Sequence, residues 1–138
     1  MKTVCKKGCH KISGRCEEKK VIPTYTHHLF EPWFSLISDG LKSVRAQLNK
    51  GPFVEMRVGE TVEWVNEDFG RRTVLTEIIE KHEYKTFYEF LSKEGLYKCF
   101  PLPEIKTIED GLSILYKYYT KEDEAQYGVV SVLLRVLD

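Results

Sequence analysis

The chain lacks most of the features that identify a protein at a glance. It has no apolar run long enough to cross a bilayer, no phosphate loop, no dinucleotide fingerprint and no Ser/His/Asp arrangement, which removes the common nucleotide-hydrolysing and dehydrogenase classes. Internal repeats and low-complexity segments are missing too. Net charge is absent as well: 21 Lys and Arg balance 21 Asp and Glu, so no strong global field surrounds the molecule. Cysteine is scarce, at 4 residues, and three of the four lie within the first sixteen positions.

What remains is globular. With 138 residues, 42% of them hydrophobic and 12% aromatic, the chain is long enough to bury one core without disulfides. Its charge is unevenly spread. Residues 1–20 hold Lys2, Lys6, Lys7, Lys11, Arg15, Lys19 and Lys20 against Glu17 and Glu18, so a basic tail precedes a mildly acidic body at 21–138. That tail has neither the apolar centre of a secretory signal nor the Arg/Ser composition of a transit peptide, so a cytoplasmic or nuclear location and no membrane association are expected.

Within the tail, Cys5, Cys9, His10 and Cys16 are the right types and number for tetrahedral zinc. Their spacing is poor, because His10 adjoins Cys9 and Cys16 stands alone. A flexible, reduced, basic arm able to meet a protein partner is therefore the expectation for residues 1–20, with zinc as the alternative. In an oxidising compartment these thiols would pair with one another or engage Cys99.

Patterning of the body predicts about five strands and about three helices. Thr26–Phe30 reads as a first strand, and Glu31–Gly40 as a short helix whose Trp33, Leu36 and Ile37 face the core. The segment Thr61–Asn66 and the run Thr73–Ile79 form a hairpin across a polar turn. Thr86 caps a helix carrying Phe87, Phe90 and Leu91, and Thr107 caps another carrying Ile108, Leu112, Leu115 and Tyr119. Residues 53–57 read as a connector and Leu96–Pro103 as a loop broken by its prolines. Tyr127–Leu137, apolar on both alternating sets, should be a central strand. The count fits an α+β fold, a small mixed barrel with helices at its rim.

Chemistry concentrates after Gly40. Strand alternation sends Ser43, Arg45 and Gln47 to one face and Lys42, Val44, Ala46 and Leu48 to the other. The polar row is either the wet side of an ordinary strand or the wall of a ligand cleft. Lys42 is either solvated beyond a helix end or part of that cleft.

The segments Gly40-Leu41-Lys42-Ser43-Val44, Val58-Gly59-Glu60-Thr61-Val62 and Tyr127-Gly128-Val129-Val130, with the Gly95–Pro101 loop, resemble the ASCH domain family over residues 26–138. The resemblance implies a PUA-like barrel and a role in handling RNA or modified nucleosides. The family pattern runs Gly-x-Lys-Thr-Val-Glu-x-Arg-Leu. Gly40, Lys42, Val44 and Leu48 match it, whereas Arg45 replaces Glu, or Thr in the branch that deacetylates acetylcytidine, and Gln47 replaces Arg. Arg in place of Glu changes the site by two charge units and favours an anionic ligand.

Two functions follow from this resemblance. As a binder of RNA or nucleotide, the protein would line its cleft with Lys42, Ser43, Arg45 and Gln47. Trp33, Trp64, Tyr84 or Tyr97 would stack on a base, Tyr97 being the best placed, and Arg71 and Arg72 would add phosphate attraction. As an amidohydrolase or ribonuclease, it would use Lys42 and Glu104. No cofactor is expected in either case, apart from the open question of tail zinc.

Overall fold

A computed structural model describes residues 22–137 throughout and, before them, the backbone of two short strands. Strands β1 (Cys9–Ile12) and β2 (Arg15–Glu18) pair antiparallel within the segment read as an arm, with Cys9 opposite Glu18 and Ile12 opposite Arg15. The candidate zinc ligands Cys5, Cys9, His10 and Cys16 have side chains outside the described residues.

The body is an α+β half-barrel. Five strands, β3 (Tyr25–His28), β4 (Val44–Leu48), β5 (Thr61–Asn66), β6 (Arg72–Tyr84) and β7 (Val129–Val136), form one sheet in the order β3-β5-β6-β7-β4. The β3–β5 pair is parallel and the other pairs are antiparallel. As its apolar composition requires, β7 is internal. Strand β6 pairs first with β5 and then with β7, and a register shift between Ile78 and Glu80 lets it turn from one to the other.

Curling of the sheet brings its edges towards each other. In a flat sheet β4 would stand three strand spacings, about 14 Å, from β5. Instead the Arg45 guanidinium of β4 lies 5.9 Å from the Trp64 ring centroid on β5, and His27 of the opposite edge strand lies 6.0 Å from that ring. Trp64 is wholly buried, and its indole N–H donates to Thr76 Oγ1 at 3.0 Å, which donates in turn to the Val62 carbonyl. The polar handle of this central ring is therefore satisfied.

Among the described residues six helices, two of them single four-residue turns, pack around the sheet: α1 (Trp33–Ser38), α2 (Pro52–Glu55), α3 (Phe87–Glu94), α4 (Leu96–Cys99), α5 (Ile108–Tyr118) and α6 (Lys121–Tyr127). Helices α3 and α5 begin at their expected threonine caps, where Thr86 accepts from the Glu89 amide and Thr107 from the Asp110 amide. Three helices were not expected. Pro52 is tolerated at the first turn of α2, where its missing N–H would have no helical partner anyway. Pro101 restrains only the residue before it, so α4 ends at Cys99 and the prolines of 96–103 do not break it. Helix α6 has the cap that was recognised at α5, with Thr120 accepting from the Asp123 amide and acids in the first turn.

Candidate functional site

Helix α1 ends at Ser38 and is capped by Asp39; Gly40 follows with a φ of 78° that suits glycine, and the amides of Leu41 and Lys42 then both donate to the Leu36 carbonyl at 2.9 and 3.0 Å. This turn sets Lys42 before β4 begins at Val44. Strand alternation consequently does not govern it, and Lys42 and Arg45, expected on opposite faces, line the same cleft.

The Lys42 side chain is only 5% exposed. Its ammonium donates to the Cys99 carbonyl and lies 5.2 Å from the Phe100 ring centroid and 5.8 Å from that of Trp33. Burial, and then the Arg45 charge, pull this ammonium down to about 7. Arg45 is partly buried. Among the described residues its Nε has no hydrogen-bond partner, and burial opposes its charge, which the neighbouring hydroxyls of Tyr119 and Tyr118 favour. Among the described residues, neither cation belongs to an ion pair.

Between α1, the start of β4 and α5 opens a cleft of about 230 Å³. Trp33, Phe100 and Leu115 wall it, Lys42 and Arg45 are its charged lining residues, and Phe30, His28 and Tyr118 also border it. Among the described residues, no carboxylate lines this space. Tyr119 is fixed by stacking on Phe87 at 5.2 Å between centroids and by donating from its hydroxyl to Gln47 Oε1 at 2.7 Å.

The structure thus brings Lys42 and Arg45 together and leaves other expected residues elsewhere. Gln47 acts through Tyr119, without lining the cleft itself. Ser43 also lies off the lining, its carbonyl accepting from the Leu134 amide at 2.7 Å. Tyr97, 75% exposed on α4, and Glu104, exposed beyond it, do not line the cleft. Tyr84 donates to Glu94 Oε2 at 2.7 Å, Trp33 forms a wall, and Trp64 belongs to the core.

Both candidate phosphate-attracting arginines are engaged. Arg71 pairs with Glu67 at 3.2 Å, while Arg72 pairs with Glu31 at 2.8 Å and donates to Asn66 Oδ1 at 2.7 Å. His27 and His28 diverge as neighbours on a strand must: His28 borders the cleft, whereas His27 stacks on Phe53, with burial first and Arg45 second disfavouring its protonation. Cys99 is a buried free thiol pushed up to about 12 by burial, so it is a poor nucleophile. Phe30, Phe100, Tyr118 and Tyr119 escaped sequence reasoning. Only the apolar stripe ending at Tyr119 hinted at them, and no spacing rule links Phe30 to Tyr118.

Among the described residues no group of three or more His, Cys, Asp or Glu is placed to hold a metal, and no helix is long and apolar enough to cross a membrane.

Fold and site together define an α+β half-barrel with a basic, aromatic-walled cleft. The chain is similar to the hypothetical protein PH0355, whose crystal structure matches with a TM-score of 0.72 at 25% identity, over 82% of this chain and 98% of that one. It is also similar to protein PF0455 from Pyrococcus furiosus, whose solution structure gives a TM-score of 0.66 at 25% identity, over 83% and 97% of the two chains. No protein-family model and no curated protein matches the chain.

Proposed function

We propose that the protein is a PUA-like, ASCH-type binder of RNA or nucleotides, with the Lys42/Arg45 cleft as its ligand site. One observation carries this reading: two cations share a partly desolvated cleft that, among the described residues, no carboxylate lines. Burying like charges together is unfavourable, and an anionic group entering between them supplies the missing counter-charge. The aromatic walls suit a ligand with a flat apolar part beside its phosphate. Matches to the family pattern at Gly40, Lys42, Val44 and Leu48 support the assignment, and Arg45 at the position of the family's Glu or Thr favours binding an anion.

Titration with a single-stranded RNA oligonucleotide and with nucleoside monophosphates tests the reading. Affinity should fall as salt rises, and Arg45→Glu should lower it by about a hundredfold or more. Unchanged affinity in Arg45→Glu would overturn it.

A second reading has its own support. A lysine held near 7 in a cleft is poised as a general base, as hydrolysis of a modified nucleoside requires. Product analysis after incubation with acetylcytidine, against a Lys42→Ala control, tests this alternative. Turnover equal in both proteins would remove it.

A further inference from the structure

Phe30 and Tyr118 come from distant parts of the chain, the loop before α1 and the last turn of α5, yet their rings lie nearly parallel to each other at the border of the cleft. The ring planes are inclined by 14° with centroids 6.5 Å apart, and the residues are 65% and 52% exposed. This separation is near the outer limit for contact between two rings. It is also about twice the 3.4 Å repeat of stacked bases. Large aromatic residues left exposed as a near-parallel pair at this separation gain little from each other.

The pair is connected to the basic site. Both rings line the cleft that contains Lys42 and Arg45. Its neighbour Tyr119 holds the end of α5 against β4 through Gln47, which fixes where Tyr118 stands. A planar group between the rings would therefore have an anion-attracting pocket beside it.

We propose that Phe30 and Tyr118 form a slot that sandwiches one unpaired nucleobase while the phosphate of the same nucleotide reaches Lys42 and Arg45. This rests on the reading of the cleft as a nucleotide site and narrows it. The ligand is a free nucleotide or an unstacked nucleotide of a single strand, because a base in a duplex already has stacking neighbours on both faces. Sandwiching tolerates every base, since each has a π-face, so discrimination is between unpaired and paired nucleic acid and not between sequences.

The experiment uses the full chain and two probes: 2-aminopurine riboside 5′-monophosphate, whose fluorescence is quenched on stacking, and inorganic pyrophosphate, which has no ring. Wild-type protein should quench the nucleotide, and a duplex RNA should compete far more weakly than its separated strand. Phe30→Ala and Tyr118→Ala should each lower nucleotide affinity by about ten- to a hundredfold and abolish quenching, while Phe30→Ala leaves pyrophosphate binding, measured by calorimetry, unchanged. Tyr118→Phe, which keeps the ring, should retain the quenching. Both positions are exposed, so thermal melting should show the variants folded. Equal nucleotide affinity in wild type and both alanine variants, or quenching that survives them, overturns the slot and leaves the basic site standing. Failure of wild-type protein to bind either probe overturns the slot and the nucleotide reading together.

Discussion

The Tyr119 hydroxyl donates a 2.7 Å hydrogen bond to Gln47 Oε1, joining the end of α5 to strand β4. This contact holds the helical wall of the cleft against the strand that carries Arg45. Tyr119→Phe removes the donor and leaves the ring stacked on Phe87. Because Gln47 is only partly buried, water can replace part of the bond, and a loss of about 1 kcal/mol is expected in urea denaturation. Ligand affinity should fall as well, since the wall loosens where Tyr118 stands.

Lys42 supplies a pH test with a definite sign. Its folded value is lowered from 10.5 to about 7, so between those limits the unfolded chain holds a proton that the folded chain does not. Stability from this group therefore rises with pH across the window from about 7 to 10.5, and the full penalty is present below it. The ceiling is roughly 4–5 kcal/mol. Lys42→Met removes the penalty and also the bond to the Cys99 carbonyl. The variant should be more stable than wild type at pH 7, by roughly 2–3 kcal/mol, and little changed at pH 10. Urea midpoints at the two pH values check this; an equal difference at both would contradict it.

The same group should govern anion affinity. As pH falls through about 7, Lys42 gains its charge, and a phosphate-bearing ligand should bind more tightly. In Lys42→Met that pH dependence should disappear, as read by calorimetry at pH 6 and 8.

Glu124 is a buried carboxylate, 6% exposed, that accepts from the Phe87 amide at 2.6 Å and from the Tyr116 hydroxyl at 2.7 Å. It thereby ties α6 to the start of α3 and to the last turn of α5. Glu124→Ala strands both donors and should cost about 3 kcal/mol. Glu124→Gln keeps an acceptor and should cost roughly half as much. Denaturant midpoints give the comparison, and equal losses would show that packing alone matters there.

Gly111 tests close packing in the helical layer. A Cβ there would meet Leu91 Cδ1 at 3.0 Å, Leu96 Cδ1 at 3.1 Å and Phe100 Cδ2 at 3.3 Å. Alanine would gain about 1 kcal/mol in helix propensity, but crowding two buried neighbours and the half-buried Leu96 at once costs about 1–3 kcal/mol. Gly111→Ala should be destabilising by about 1 kcal/mol, measured by thermal melting.

Much of the fold was legible because local rules sufficed. Thr86 and Thr107 announce helix starts through hydroxyls that cap amides three residues on, and Val129–Val136 is apolar on both sides because it lies inside the sheet. The three unexpected helices show where local reading stopped short. The cap at Thr120 was as visible as that at Thr107, but the apolar stripe that made α5 recognisable is missing from the charged α6. In 96–103 the prolines were given too long a reach.

The candidate site divides in the same way. Lys42 and Arg45 stood out from composition and from the pattern after Gly40, since the placement of two cations beside a helix stop is local information. Their sharing of one cleft was not local. It depends on the turn at Leu36–Lys42, which takes Lys42 out of the alternation, and on the curl of the sheet, which carries β4 towards Trp64. Phe30 and Tyr118 meet only because α5 packs where it does. Local sequence accounts for the five strands, the caps of α3 and α5 and the residue types available for binding an anion. Tertiary structure alone decided which of them share a cleft, because strand curl and helix packing set distances between residues that no periodicity relates.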